Sequence, residues 1–154
     1  MLISQGDFMP EVRKPAVLVV DDDSGMRRLI STVIEGAGFV VYQAEDGLDA
    51  LAILGNLLPD VIISDLSMPR MSGYELVPVV RRRFPKIPVV VLSATVLPEW
   101  VRPEVGADVY FTKGEFRTAE LCKRVSELVP ARDLLPQQDA DQAALAAVAR
   151  LDQP

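Results

Sequence analysis

The 154-residue chain contains no histidine, and that absence constrains its chemistry more than any other feature of its composition. Without an imidazole the polypeptide can hold no Ser-His-Asp triad, no histidine metal site and no phosphohistidine carrier. Any phosphoryl group handled here must rest on another residue type. Cysteine is nearly absent too: Cys122 alone can build neither a disulfide nor a thiolate zinc site, and it reads as a small buried hydrophobe inside a helix. No apolar run approaches the roughly 18 residues that span a bilayer. The N-terminus, broken by Asp7 and Glu11, lacks the apolar core of a signal peptide. A soluble cytoplasmic protein without membrane insertion is the expectation. An excess of positive charge is also missing, since 16 Lys and Arg face 22 Asp and Glu for a formal charge of −6. Direct binding to nucleic acid needs a basic footprint, and none is visible.

What is present is 49% hydrophobic content, enough for one domain with a sizeable core. Residues 1–14 mix Gly6, Pro10 and charges without a period and read as a flexible N-terminal arm. The apolar run 16–20 reads as a strand that stops at Asp21-Asp22-Asp23, with Ser24 as N-cap of the following helix and Asp23 as a solvated turn or capping residue. Met26, Leu29, Ile30, Val33 and Ile34 recur at helical spacing, and Gly36-Ala37-Gly38 ends that helix. A second strand covers 39–42. Asp46-Gly47 then opens a helix expected to cover the sheet with Leu48, Leu51, Ala52 and Leu54.

Residues 61–63 are β-branched and flanked by turn formers, which predicts a strand buried on both faces and ending at Asp65. Met68-Pro69 forces an extended turn, Gly73 lets it close, and a helix over 74–84 follows if Pro78 falls in its first turn. A fourth strand over 89–92 ends at Ser93. Pro98 and Pro103 make 95–105 a poor helix, expected to be one short turn or an irregular loop. A fifth strand over 109–112 ends at Lys113, and 117–129 forms the last helix with Leu121, Val125 and Leu128 on one face. Residues 130–154 read as a tail with a possible alanine-rich helix over 141–151. Strands alternating with helices predict an α/β fold, a five-stranded parallel sheet with right-handed crossovers and helices on both faces.

Polar residues therefore collect at the carboxyl ends of four strands: Asp21 and Asp22, then Asp65, Ser93 and Lys113. That edge is where open α/β sheets bind ligands. Three carboxylates in one crevice repel each other and have raised pKa values unless a cation sits among them. All-oxygen ligands suit Mg²⁺. A carboxylate is also a competent nucleophile toward phosphorus once the charges are neutralised, and Lys113 and Ser93 would grip the acyl phosphate formed.

The motifs V-L-V-V-D-D-D, I-I-S-D-L-S-M-P-R-M-S-G, V-V-V-L-S-A and G-A-D-V-Y-F-T-K, in this order at these strand ends, resemble the receiver domain of bacterial two-component response regulators over residues 15–129. The resemblance implies a doubly wound, flavodoxin-like sheet of strand order 2-1-3-4-5. It implies Asp65 as phosphoacceptor from a histidine kinase or phosphotransfer protein, and Mg²⁺ held by Asp21, Asp22, Asp65 and the backbone carbonyl of Ser67. Ser93 and Lys113 would bind the phosphoryl group, with Ser93 and Tyr110 as switch residues. On this reading the chain is a signalling module and not an enzyme, and it acts on a separate protein effector through the face of the fourth helix, fifth strand and fifth helix. The sequence departs from the family pattern at Ser72, where Asp is common, and at Gly114, which replaces the proline that usually follows the lysine and puts the family's cis bond there in question. Glu115 resembles an inserted residue. Two rivals stand beside this reading. Asp21-Asp22-Asp23 resembles the D-x-D nucleophile motif of haloacid-dehalogenase-type phosphatases, in which Asp21 would attack, although no cap domain or late acidic pair accompanies it. A receiver-like binding module that is never phosphorylated is the other.

Overall fold

The computed structural model describes residues 13–129, so all but residues 13 and 14 of the expected arm, and the whole of the expected tail at 130–154, lie outside the described residues. Five strands, β1 (Ala16–Val20), β2 (Val40–Ala44), β3 (Val61–Asp65), β4 (Val89–Ser93) and β5 (Val109–Thr112), pair in parallel in the order β2-β1-β3-β4-β5. Between and after them run α1 (Ser24–Gly36), α2 (Gly47–Leu54), α3 (Gly73–Arg83), α4 (Arg102–Val105) and α5 (Thr118–Leu128). Parallel neighbours need crossovers, and helices on both faces explain why β1, β3 and β4 are buried along their whole length.

Strand alternation divides the core into two layers. Val17, Val19, Val61, Ile63, Val90 and Leu92 point to α1 and α5, where Ile30, Val33, Ile34, Leu121 and Val125 meet them. Leu18, Val20, Ile62, Val89 and Val91 point to α2 and α3, against Ala50, Leu54, Leu76, Val77 and Val80. Each such side chain contributes about 1.5–3 kcal/mol on full burial. Cys122 belongs to the first layer, where burial pushes its thiol up to about 11. This agrees with its reading as a small hydrophobe.

Several local expectations are corrected. Asp23, not Ser24, caps α1: its carboxylate accepts the Met26 amide at 2.9 Å, and Ser24 is already helical. Both residue types cap well, so composition alone could not separate neighbours. The second strand runs on to Ala44, whose carbonyl accepts the Asp21 amide at 3.1 Å. In α2 the buried residues are Gly47, Ala50 and Leu54, while Leu48 and Ala52 face solvent, because the helix is short and its first turn abuts the β3–α3 loop. Pro78 lies inside α3, not in its first turn, because the helix starts early, where the Glu75 carboxylate takes the Ser72 amide at 2.9 Å. The missing proline N–H frees only the carbonyl of Tyr74, an exposed residue. The segment after β4 behaves as its prolines imply, with only four helical residues in α4.

That segment leaves Val96 and Trp100 exposed, Trp100 at 74%. With few backbone hydrogen bonds and little burial, amides at 95–101 should exchange with deuterium far faster than those of β1 and β3. Comparable protection in a native-state exchange experiment would show that this stretch packs as regular structure.

Candidate functional site

The site is built at the carboxyl edge of the sheet by chain geometry. β3 delivers Asp65, and the chain must then turn sharply, because Gly73 passes so close that an added Cβ would lie 2.1 Å from the Asp65 carbonyl oxygen. The Gly73 amide seals the loop by donating to the Leu66 carbonyl at 2.9 Å. Asp65 Oδ1 accepts the Leu66 amide at 2.7 Å and the Ser67 amide at 3.3 Å, which fixes the carboxylate at the mouth of the strand. Asp21 follows β1 directly, is 2% exposed, and turns Oδ1 back to the Asp23 amide at 2.9 Å. Asp22 is exposed. Oxygens of Asp21, Asp22 and Asp65 lie within 4.8 Å of one another.

Lys113 supplies the opposing charge. Its amide donates to the Ser93 carbonyl at 2.7 Å, which carries the β4–β5 ladder one residue beyond the strand and turns the side chain over the carboxylates. Nζ then sits 2.8 Å from Asp21 Oδ2 and 3.1 Å from Asp65 Oδ2. Burial alone would lower the Lys113 pKa, but its hydrogen bonds and charge contacts with Asp21 and Asp65 outweigh burial and hold it above the usual lysine value. For Asp65 the balance falls the other way: burial, helped by the Asp21 charge, raises its carboxyl above the ordinary range against the pull of Lys113 and the Ser67 amide. One ammonium is too little for two buried carboxylates and a third beside them. A site of oxygen donors with surplus negative charge fits a hard divalent cation. The Ser67 carbonyl accepts no hydrogen bond among the described residues and is free to join such a set.

The structure thus brings together Asp21, Asp22, Asp65 and Lys113. Ser93 is buried at the end of β4, beside Asp65 in the strand order, and its hydroxyl accepts the Thr95 amide at 3.2 Å. Tyr110 stands apart from the cluster: its hydroxyl donates to the Arg102 carbonyl at 2.6 Å and accepts the Ala107 amide at 2.9 Å, with the Arg102 guanidinium 5.3 Å from the ring centre. Its hydroxyl is engaged with α4.

A family model described as response regulator receiver domain matches residues 17–126. The chain belongs to the response regulator receiver family. A DNA-binding dual master transcriptional regulator, RpaA of Synechocystis, is 36% identical over 127 residues, 80% of this chain and 52% of that protein. The chain therefore spans about half the length of this relative. Among solved structures, the chemotaxis response regulator CheY4 of Vibrio cholerae aligns at TM-score 0.69 with 33% identity, over 76% of this chain and 100% of that one. The regulator TrrA of Thermotoga maritima, solved in complex with Mg²⁺ and beryllium fluoride, aligns at TM-score 0.67 with 29% identity, over 75% and 99%.

As a receiver, the chain has the two-component signalling module that its motifs resemble, and the strand order 2-1-3-4-5 agrees. The phosphatase rival loses ground here, since the family model that matches residues 17–126 is that of a receiver domain. No helix of the described residues is long and apolar enough to cross a membrane. At the departure from family pattern, Lys113 and Gly114 form a tight turn closed by the Glu115 amide on the Thr112 carbonyl at 3.1 Å, with Gly114 at φ 82° and no cis bond among the described residues. A glycine is what that left-handed position favours. Sequence reasoning missed Arg70, which pairs with Asp46 across 24 residues and has no local pattern to betray it.

The raised Asp65 pKa carries a sign for stability. A group whose folded pKa exceeds its unfolded one contributes fully below the unfolded value, near 3.8, and loses that contribution as pH rises through the folded value. Above it, ionised Asp65 costs the metal-free protein stability. Asp65→Asn should therefore be more stable than the parent at pH 7 in chelator, with the gap closing toward pH 3 in urea denaturation. A gap that widened on acidification would reverse the sign.

Proposed function

We propose that Asp65 is a phosphoacceptor, and the observation that carries this reading is the Lys113 ammonium held between two buried carboxylates at the strand edge. An Asp65 carboxylate oxygen attacks the phosphorus of a phosphohistidine on a kinase or phosphotransfer protein. The P–N bond breaks as the P–O bond forms, and the electron pair leaves on the imidazole, which takes up a proton. Asp21, Asp22, Asp65 and the Ser67 carbonyl would hold Mg²⁺, which when bound supplies the charge neutralisation that lets an anionic donor approach. Lys113 gives up its contact with the Asp65 oxygen that becomes the bridging oxygen of the acyl phosphate and turns its charge to the phosphoryl oxygens. Ser93, buried one strand away, offers the hydroxyl that bonds the same group.

The two residues that would grip the phosphoryl group, Ser93 and Lys113, bracket the segment containing α4 and Tyr110. Pulling both toward Asp65 strains that segment, whose short helix has little to resist with. Because Tyr110 is bonded to the Arg102 carbonyl, α4 and β5 would shift together. A differential contact energy of about 1–3 kcal/mol suffices to bias such an element. The resulting α4-β5-α5 face, with Trp100 beside it, is the surface for a separate protein effector. The negative chain favours a basic partner patch over nucleic acid.

Treating the protein with acetyl phosphate and Mg²⁺ and measuring intact mass should give one phosphoryl adduct that disappears in Asp65→Asn and with chelator. An adduct that survives in Asp65→Asn would place the chemistry elsewhere, and its loss in Asp21→Asn with Asp65 untouched by label would favour the phosphatase reading.

A further inference from the structure

The loop after Asp65 contains a conformational oddity. Arg70 adopts φ 63°, the one positive φ on a non-glycine residue among the described residues. Side-chain-bearing residues rarely take this conformation, and it persists where surrounding contacts over-determine it. Those contacts are visible. Arg70 Nε donates to Asp46 Oδ2 at 2.5 Å, and its terminal nitrogen lies 2.5 Å from the same oxygen and 3.2 Å from Asp49 Oδ1. Asp46 is itself fixed: it is buried, and Oδ1 caps α2 by accepting the Asp49 amide at 3.0 Å. That hydrogen bond first, and the Arg70 guanidinium after it, hold the Asp46 carboxyl below its ordinary range, so it stays an anion for the guanidinium to grip.

The neighbouring backbone follows the same anchor. The Met71 carbonyl accepts the Gly47 amide at 2.9 Å, and the Met71 amide returns to the Pro69 carbonyl at 2.8 Å. At the other end the loop is closed by Gly73 on Leu66. Between these fixed points Ser67 makes a single hydrogen bond among the described residues, its 3.3 Å bond to Asp65 Oδ1. The path of the Ser67 carbonyl is therefore decided by where Arg70 and Met71 pin the tip of the loop to α2.

We propose that Arg70 is a positioning residue for the cation site, its clamp on Asp46 and Asp49 holding the 66–72 backbone so that the Ser67 carbonyl stands ready beside the carboxylate cluster. The inference rests on the reading of Asp21, Asp22 and Asp65 as a divalent-cation site. Arg70 itself touches none of those carboxylates among the described contacts, so it does not compete with the ion. Outer-shell groups that orient metal ligands typically govern affinity by 10–100-fold.

The test is a Mg²⁺ titration of the full chain, followed through the amide NMR signals of Asp65 and Ser67, for the parent, Arg70→Ala, Arg70→Gly and Arg70→Lys, with melting of each in chelator. Arg70→Gly matters because it accepts the left-handed backbone while deleting the guanidinium. We expect Arg70→Ala and Arg70→Gly to lose on the order of tenfold in Mg²⁺ affinity. Arg70→Lys should fall between them and the parent, since an ammonium can meet a carboxylate but not fork across two. Variants that bind Mg²⁺ as tightly as the parent, whether or not they melt earlier in chelator, would overturn the proposal and leave Arg70 a structural strut. An Arg70→Gly that matches the parent while Arg70→Ala fails would also overturn it, assigning the effect to backbone strain. A parent that takes up no Mg²⁺ would overturn the cation-site reading first, and this inference with it.

Discussion

Two buried carboxylates within reach of each other are not tolerable without positive charge between them, and in this protein that charge is the Lys113 ammonium. Everything else at the strand edge is arranged around that balance. β1 and β3 are neighbours in the sheet, so Asp21 and Asp65 emerge side by side. β5 sits at the far edge, two strands from β3, and Lys113 must cross the end of β4 to reach them. The length of a lysine side chain makes that crossing possible. The balance is incomplete, since Asp22 adds a third carboxylate and Asp65 retains a raised pKa. A site left short of positive charge is one whose balance a divalent cation would complete.

The rest of the fold packs densely on one side of this site and sparsely on the other. β1 and β3 are buried throughout and packed between two apolar layers, so Asp21 and Asp65 are mounted on strands held from both faces. The β4–α4 connection is the opposite: four helical residues, exposed Val96 and Trp100, and a link to β5 through the Tyr110 hydroxyl. Ser93 and Lys113 stand at the two ends of this segment, beside the carboxylates. Such a division suits a signalling module, in which the site must keep its geometry while a distant surface changes.

Much of this was legible in the sequence. Apolar strands ending in polar or charged residues located Asp21, Asp65, Ser93 and Lys113 at one edge, because a run buried on both faces can place a polar group only at its end. Pro98 and Pro103 announced the stunted α4. What could not be read were choices between equals and pairings at a distance. Asp23 and Ser24 are both good caps, and the spacing of apolar residues in α2 did not reveal that Ala50, and not Leu48, turns inward. The place of Pro78 depended on where α3 begins, which Glu75 and Ser72 decide by a contact at the helix N-terminus. Arg70 lies beyond any local pattern, since its conformation and its partner Asp46 come from different segments brought together by the fold.

The central claim is that Lys113 and Asp65 are energetically coupled through the charge balance of the site. A double-mutant cycle on the metal-free protein tests it directly, comparing urea unfolding of the parent, Lys113→Met, Asp65→Asn and the pair at pH 7. The account predicts that Lys113→Met destabilises, that Asp65→Asn recovers part of the loss, and that the coupling is favourable and on the order of 1 kcal/mol. Strict additivity of the two substitutions would contradict it, because the ammonium would then contribute nothing to holding Asp65 ionised in the fold.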